Sequence, residues 1–194
     1  MVGERSGVPL FFIMNANATL LHTCCGPCAS ACVPVLKDEG RSVVLYFANS
    51  NIDTKEEWTR RLEAARQLAD AEGVELIVEP YDHAEWLACV ARGFEGEPEK
   101  GARCERCYRY NLLKAARYAV AHGLTEVTTS LTISPHKPSP VVFAMGRAAA
   151  DSVGVSFLSR DFKKKDGFKK SVARAKELGL YRQPYCGCEF SRRG

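Results

Sequence analysis

Cysteine is the residue type whose spacing in this chain points most directly to chemistry. Seven of the nine cysteines fall into three tight groups, which are Cys24, Cys25 and Cys28; Cys104 and Cys107; and Cys186 and Cys188. Thiolates at such spacings converge on a common point once a chain folds, and soft metals and iron–sulfur clusters select such ligands. The sequence therefore predicts a metal or redox centre assembled from the start, middle and end of the chain.

Two simpler centres fit part of this pattern. The segment from Cys25 to Cys28 matches the dithiol of thioredoxin-like oxidoreductases, although Cys24 stands where those proteins usually carry Trp. Four cysteines from two groups would satisfy a structural zinc. Dithiol exchange needs no further cysteine pairs, however, and a single zinc leaves three clustered cysteines unexplained. From the residues alone, both alternatives stay open.

The elements that must position these cysteines are strands alternating with helices. The predicted strands are 19–23, 42–48, 74–78, 126–131 and 155–158. The predicted helices are 29–39, 55–72, 83–90, 105–122, 141–153 and 168–178. This alternation indicates an α/β domain of three layers, in which a parallel sheet is covered by helices on both faces.

The polar and reactive residues follow the predicted strands at one edge of this sheet. The first cysteine group comes directly after the first strand, Asn49 and Asn51 follow the second, and Ser134, His136 and Lys137 follow the fourth. Ligands bind to such sheets beyond the carboxyl ends of the strands, where the strand order reverses. We therefore expect these residues to form one site.

Length and composition place this site in a single domain. A chain of 194 residues fits one domain, and we expect an N-terminal extension over 1–18 and one α/β catalytic domain over 19–194 that ends in a cysteine-bearing tail. No apolar run approaches the roughly 18 residues of a membrane span. The N-terminal stretch lacks a clear basic region, which argues against a signal peptide. We expect a cytoplasmic protein, in whose reducing surroundings clustered cysteines favour metal or redox chemistry.

The charge of the chain is unevenly distributed. The net charge is +4, but residues 160–194 hold eleven Lys and Arg against four Asp and Glu, a net +7 that leaves −3 for residues 1–159. A basic end on a mildly acidic body suggests a polyanionic partner. A solvated helix face is the simpler explanation of the same charges.

Six motifs, taken in order, resemble one enzyme family. They are LHTCCGPC at 21–28, YFANSNI at 46–52, CERCYRY at 104–110, SLTISPHK at 130–137, DFKKKDG at 161–167 and YRQPYCGCEFS at 181–191. Together they resemble the cobalamin-independent epoxyqueuosine reductases, an iron–sulfur family. The resemblance runs from about residue 19 to residue 191, which is nearly the whole chain.

This resemblance implies the last step of queuosine synthesis. The substrate would be epoxyqueuosine at the wobble position of tRNA, and the epoxide oxygen would leave as water to give an alkene. The implied fold is a nucleotide-hydrolase-like α/β sheet, Rossmann-like and of the HUP type. The implied cofactor is a 4Fe–4S cluster with a second iron close to it, and the electrons would come from an external donor.

The resemblance also implies roles for the cysteines. Cys24, Cys25, Cys104 and Cys107 would be the cluster ligands. Cys186 and Cys188 would be a redox-active pair, or ligands of the second metal together with Cys28. Many members of the family have Asp where Cys28 stands, and a hard carboxylate and a soft thiolate prefer different metal states.

Other residues are expected to handle the substrate. Histidine side chains commonly transfer protons in enzymes, and His136 is a candidate proton donor. The predicted substrate-binding residues are Asn49, Asn51, Tyr108, Lys137, Arg160 and Lys163. The basic ones would hold anticodon phosphates, and Tyr108 would stack a base, as Tyr110 or Tyr185 could instead. The rival functions are a thioredoxin-like dithiol oxidoreductase and a zinc-dependent tRNA-binding module.

Overall fold

The computed structural model describes residues 18–192, which form a parallel β-sheet covered by helices. The strands are β1 (Ala18–His22), β2 (Ser42–Phe47), β3 (Glu75–Val78), β4 (Glu126–Thr129) and β5 (Ser156–Phe157). All pairings are parallel, and the strand order is β3-β2-β1-β4-β5. The order reverses between β1 and β4, which is the Rossmann-like arrangement. The predicted fold class is confirmed.

Helices cover both faces of this sheet. They are α1 (Gly26–Ala29), α2 (Cys32–Asp38), α3 (Lys55–Glu72), α4 (His83–Trp86), α5 (Ala102–Ala121), α6 (Ser139–Asp151) and α7 (Gly167–Glu177). A π-helix (Leu87–Ala91) extends α4, and 3-10 turns lie at Ser130–Ile133 and Glu189–Ser191. None of the helices among residues 18–192 is both long and apolar enough to cross a bilayer.

Alternate residues of the central strands fill two cores. Leu21 and Leu45 pack with residues of α1, α2, α3 and α7 on one face. Leu20 and Val44 pack with residues of α5 and α6 on the other. Successive side chains of a strand point to opposite faces of the sheet. Because helices cover both faces here, most residues of the central strands are apolar. This is the predicted three-layer arrangement.

The long helix α3 has the bounds that its sequence predicts. Thr54 caps its start, because the Thr54 hydroxyl accepts a hydrogen bond from the Glu57 N–H at 3.2 Å. Gly73 ends it in the left-handed conformation, with φ of 60°. Both signals are local, which is why sequence reasoning finds them.

Some predicted boundaries were wrong. The helix predicted over 29–39 begins only at Cys32, as α2; Ala29 is the last residue of a separate helix, α1, and Ser30 and Ala31 lie between the two. Pro34 has no N–H to donate to the Ser30 carbonyl, so one continuous helix cannot form. The helix predicted to begin at residue 105 begins at Ala102, which places the middle cysteine pair inside its first two turns. The predicted extension over 1–18 lies outside the described residues, except for Ala18, which begins β1.

Candidate active site

A cleft of about 720 Å³ lies at the carboxyl edge of the sheet. The cleft is lined by residues that directly follow β1 and β4. These two strands are neighbours in the sheet, and the strand order reverses between them. Its walls include Cys24, Cys28, His136, Lys137 and Cys186. The structure thus brings residues from three distant parts of the chain to one edge. Cys24, Cys28, His136 and Lys137 lie there as their positions after the strands predict, whereas Cys186 lies in the tail after the last long helix.

The first cysteine group forms a triad in the wall of this cleft. The Sγ atoms of Cys24, Cys25 and Cys28 all lie within 4.8 Å of one another, in the turn between β1 and α1. The Cys28 N–H donates a hydrogen bond to Cys25 Sγ at 3.3 Å, and the Cys24 N–H donates to Ser130 Oγ at 3.1 Å. Three convergent soft donors at this spacing can hold a metal.

The thiols of the triad have different proton affinities. Hydrogen bonds from Cys25 and Cys28 lower the pKa of Cys24 well below its usual range, and the nearby Lys137 and Ser130 add to this shift. Burial raises the pKa of Cys25 to about 12. Cys24 is therefore the most acidic thiol of the three, since hydrogen bonds to Cys24 and Cys25 raise the pKa of Cys28, and metal binding would release the protons that the triad holds.

The middle cysteine pair lies on α5. Cys104 Sγ accepts a hydrogen bond from the Lys100 N–H at 3.3 Å, and Cys107 Sγ accepts one from Asn111 Nδ2 at 3.6 Å. Burial raises the pKa of both thiols, and the nearby Cys186 adds to each shift. Cys104 lines a small cavity with Cys186 and Cys188, and Cys107 packs against the same buried cluster as Cys188, so the pair on α5 lies beside the C-terminal pair.

Lys137 stands between the cysteine groups. Its Nζ lies 3.3 Å from Cys186 Sγ. Lys137 and Cys186 line the large cleft together with Cys24, and they also line a cavity of about 20 Å³ together with Cys104 and Cys188. Burial acts to lower the pKa of Lys137, but nearby anionic groups, Cys186 first among them, raise it well above its usual value. A charged amine therefore lies between the triad and the other two pairs.

The predicted cluster ligands come from both sides of this amine. Cys24 and Cys25 belong to the triad, whereas Cys104 and Cys107 belong to α5. Cys24 and Cys104 pack against one cluster of buried side chains that includes Tyr108. Within residues 18–192, the triad is the only group of three or more Cys, His, Asp or Glu ligand atoms with mutual distances below 4.8 Å. The four-cysteine ligand set stays a prediction.

The C-terminal tail, residues 181–192, is anchored on α3 by a buried arginine. Arg61 is 2% exposed and donates hydrogen bonds to the carbonyls of Cys186 at 2.8 Å and Tyr185 at 3.3 Å. Its Nε donates to Glu57 Oε1 at 2.7 Å, and the Tyr181 hydroxyl donates to Glu57 Oε2 at 2.8 Å. The position of the C-terminal cysteines therefore depends on α3.

The residue between those two cysteines must be glycine. Gly187 has φ of 138°, and its carbonyl accepts a hydrogen bond from the Asp53 N–H at 2.9 Å. A Cβ at this position would lie 3.1 Å from Arg61 Nη1 and 3.3 Å from Asn51 Nδ2. Glycine provides both the backbone conformation and the close approach to Arg61.

The two predicted substrate-binding asparagines are buried. Asn49 Nδ2 donates to the Thr23 carbonyl at 2.9 Å, which ties β2 to the turn that carries the triad. Asn51 Oδ1 accepts from Asn111 Nδ2 at 3.1 Å, which ties the same loop to α5. These side chains hold the walls of the cleft together, and their contact with substrate stays a prediction.

The other predicted substrate residues lie at different depths. His136 is exposed and lines both cavities, and the buried Tyr108 lines the smaller one. Lys163 Nζ donates to the Lys137 carbonyl at 3.1 Å, so it supports the loop that carries Lys137. Arg160 forms an ion pair with Glu39 and lines neither cavity.

Two residues at the cleft were missed by sequence reasoning. Arg61 pairs with Glu57 four positions earlier, a spacing that usually indicates a solvent-exposed helix pair. The sequence pattern predicts Phe168 only as the start of the last helix, but its side chain lines the cleft and is 38% exposed. A single aromatic inside a run of lysines was the available signal for Phe168.

Comparison with known proteins identifies the family. The model of the family described as Epoxyqueuosine reductase QueH matches residues 19–194. Relatives named Epoxyqueuosine reductase QueH include one from Streptococcus pyogenes serotype M1, 36% identical over 178 residues, which cover 89% of this chain and 69% of the relative. Another from Dehalococcoides mccartyi is 36% identical over 177 residues, covering 91% and 93%, and one from Thermotoga maritima is 31% identical over 178 residues, covering 90% of each. With a cysteine triad beside a cleft at the switch point of its sheet, this chain belongs to the epoxyqueuosine reductase QueH family.

Proposed function

We propose that this protein reduces epoxyqueuosine to queuosine, the last step of queuosine synthesis. The substrate is the wobble nucleoside of tRNA, so we expect the reaction to take place in the cytoplasm with an external electron donor. Membership of the reductase family supports this reaction. The observation that carries it is the cysteine triad in the wall of an open cleft, because epoxide removal needs a redox centre that the substrate can reach.

The cofactor that we assign is a 4Fe–4S cluster, without cobalamin. Its ligands are Cys24, Cys25, Cys104 and Cys107. The donor set fits in kind, because all four are soft sulfur ligands, and Cys24 and Cys104 line the two cavities that Lys137 also lines. A second iron would be bound by the remaining cysteines of the three groups, which are Cys28, Cys186 and Cys188. Alternatively, Cys186 and Cys188 would form a redox-active pair.

Epoxide removal takes up two electrons and two protons and yields an alkene and water. The iron–sulfur centre supplies the electrons one at a time when it is bound. The chain itself supplies the protons. Lys137, charged and half-buried beside Cys186, is placed to donate a hydrogen bond to the departing oxygen. His136, exposed at the cleft, is placed to return a proton from solvent.

The remaining predicted residues position the tRNA. Tyr108 borders the smaller cavity, where it can contact the inserted nucleoside, and Asn49 and Asn51 shape the wall behind it. Lys163 acts through the Lys137 loop as well as by charge. Arg160 would exchange Glu39 for a phosphate, a contact that positions the RNA without reading its sequence.

Metal analysis of anaerobically purified protein tests the proposal. We expect brown protein with iron and sulfide, and we expect Cys104→Ala to lose the colour and the reduction of epoxyqueuosine in tRNA. Cys89→Ala is the matched control, because Cys89 is exposed and outside the three groups. A colourless zinc protein that is active on tRNA, or full activity of Cys104→Ala, would contradict the proposal. Metal-free disulfide reduction would instead favour the thioredoxin-like alternative.

A further inference from the structure

An exposed aromatic side chain borders the catalytic cleft. Of the large hydrophobic residues within 18–192, two are exposed, Phe168 at 38% and Val120 at 47%. Single exposed hydrophobic residues are common and need no explanation. Val120 is such a residue, since it lies near the end of α5 that is opposite to Cys104. Phe168 differs because it lines the same cleft as Cys28 and Lys137.

Phe168 is held on a rigid support. The neighbouring Phe162 is buried in the core at 4% exposure, and its N–H donates a hydrogen bond to Thr132 Oγ1 at 3.3 Å. Gly167 packs so closely on this segment that a Cβ would lie 1.7 Å from the Phe162 carbonyl oxygen. The Phe168 carbonyl also accepts from Ser171 Oγ at 2.7 Å. These contacts fix the backbone that carries the ring, so this backbone has little conformational freedom to lose when the ring binds a partner.

Exposed cations flank Phe168 in the chain or line the same cleft. The exposed lysines that flank it in the chain are Lys164, Lys165, Lys169 and Lys170. Arg182, also exposed, lines the same cleft. Of the nearby acids, Asp166 pairs with Lys169 at 3.3 Å, and Glu99 lines the cleft. Positive charge thus prevails around an aromatic ring, a combination that single-stranded nucleic acid binds through phosphate contacts and base stacking.

We propose that Phe168 is a stacking platform for a base adjacent to the wobble nucleotide in the anticodon loop. This inference rests on the proposed function, in which the wobble nucleoside enters the cleft toward the triad. The adjacent base then stays outside the triad, on the part of the cleft that Phe168 lines. The flanking lysines and Arg182 hold the phosphates on either side.

Binding of an unmodified anticodon stem–loop tests this platform. Phe168→Ala should weaken binding about 5- to 100-fold, the range that removal of a stacked aromatic produces. Phe168→Leu, which keeps apolar volume but has no π-face, should lose nearly as much, whereas Phe168→Trp should bind as the native protein does. Val120→Ala is the matched control and should change nothing. Native affinity in Phe168→Ala or in Phe168→Leu overturns the proposal.

A second arm locates the base on the RNA. Two stem–loops each carry one abasic residue, on one or the other side of the wobble nucleotide. The native protein should bind more weakly to the stem–loop that lacks the stacked base. The same abasic residue should add almost no further loss in Phe168→Ala, because both changes remove one interaction. Fully additive losses on both sides would overturn the platform.

Fluorescence gives a readout that does not depend on turnover. The native tryptophans Trp58 and Trp86 are buried, so Phe168→Trp adds a solvent-exposed emitter. The stem–loop should quench this emission, and absence of quenching would contradict stacking.

If the binding results hold but epoxyqueuosine is not reduced, the proposed function fails and the platform stands. If reduction proceeds and Phe168→Ala binds normally, the platform alone fails.

Discussion

Replacing Arg61 by Met tests whether α3 positions the C-terminal cysteines. Methionine keeps an apolar stem of similar length and removes every donor. The change deletes the hydrogen bonds to the carbonyls of Cys186 and Tyr185, at 2.8 and 3.3 Å, and leaves the Glu57 carboxylate without its cation. We expect both a loss of overall stability and a loosening of the tail.

The two losses differ in origin and can be separated. Glu57 is 5% exposed, and removal of one partner of a buried ion pair costs about 3–5 kcal/mol. Replacing both partners by apolar residues is often close to neutral, so Glu57→Leu with Arg61→Met should recover most of the free energy of unfolding. In this double variant the tail lacks the two hydrogen bonds from Arg61, at least ~1.5 kcal/mol each, and also the hydrogen bond from the Tyr181 hydroxyl to Glu57. Opening of the tail should then become at least about 100-fold more frequent.

The assay combines urea unfolding with anaerobic alkylation of cysteines, located by mass spectrometry. In the double variant, the free energy of unfolding should approach the native value, while alkylation of Cys186 and Cys188 accelerates and epoxide reduction falls. Cys89 is exposed in the native protein and serves as an internal reference for reagent activity. Arg66→Met, an exposed position on the same helix, is the matched control and should change neither readout.

The reasoning fails if the double variant alkylates at native rates and retains full activity. It also fails if Arg61→Met alone unfolds at the native urea concentration, because Glu57 would then tolerate burial without its partner. In the first case the tail would be held by its other contacts, chiefly Tyr185 with Asp53 at 2.8 Å and Arg192 with Asp53 at 2.6 Å.

Three further predictions follow from contacts at the site. In Gly26→Ala, the new Cβ would lie 2.3 Å from the Ala64 carbonyl oxygen, so α1 must move away from α3 and the iron content should fall. Gly96→Ala is the control, because there is open space around its Cβ, and this variant should retain the iron. Lys137→Met should lower kcat for epoxide reduction by about 100-fold or more with a small change in KM for tRNA, since it removes the charged hydrogen-bond donor to the departing oxygen; an unchanged kcat refutes that role. Binding of tRNA should weaken with salt at a log–log slope of roughly −0.7 per contacted single-strand phosphate, and a flat profile would exclude the basic C-terminal region from the interface.

Much of the fold could be predicted because its signals are local. Thr54 and Gly73 mark the ends of α3, and apolar runs mark the central strands. The carboxyl ends of parallel strands share an edge, so the order of motifs along the chain also indicated where the triad, His136 and Lys137 would meet. The break between α1 and α2 was missed, although Pro34 carries the signal for it.

The arrangement of the tail could not be predicted, because nothing periodic sets it. Residues 181–192 contain one short 3-10 turn, and their course depends on a buried arginine from a helix more than 100 residues earlier. On the sequence, Arg61 and Glu57 look like an ordinary exposed pair at helical spacing. Only the packing of Arg61 beneath the tail shows that this pair is buried and holds the tail carbonyls.

The two sides of the site therefore depend on different kinds of contact. The triad is fixed by steric fit, because a helix of four residues has no stability of its own and α1 is held where Gly26 meets the backbone of α3. The C-terminal pair is fixed by hydrogen bonds from Arg61, which is on the same helix. Since α3 supports both sides, a shift of this one helix changes the spacing between the triad and the C-terminal cysteines. Lys137 lines the cleft together with residues of both groups, so such a shift would also change the surroundings of its amine.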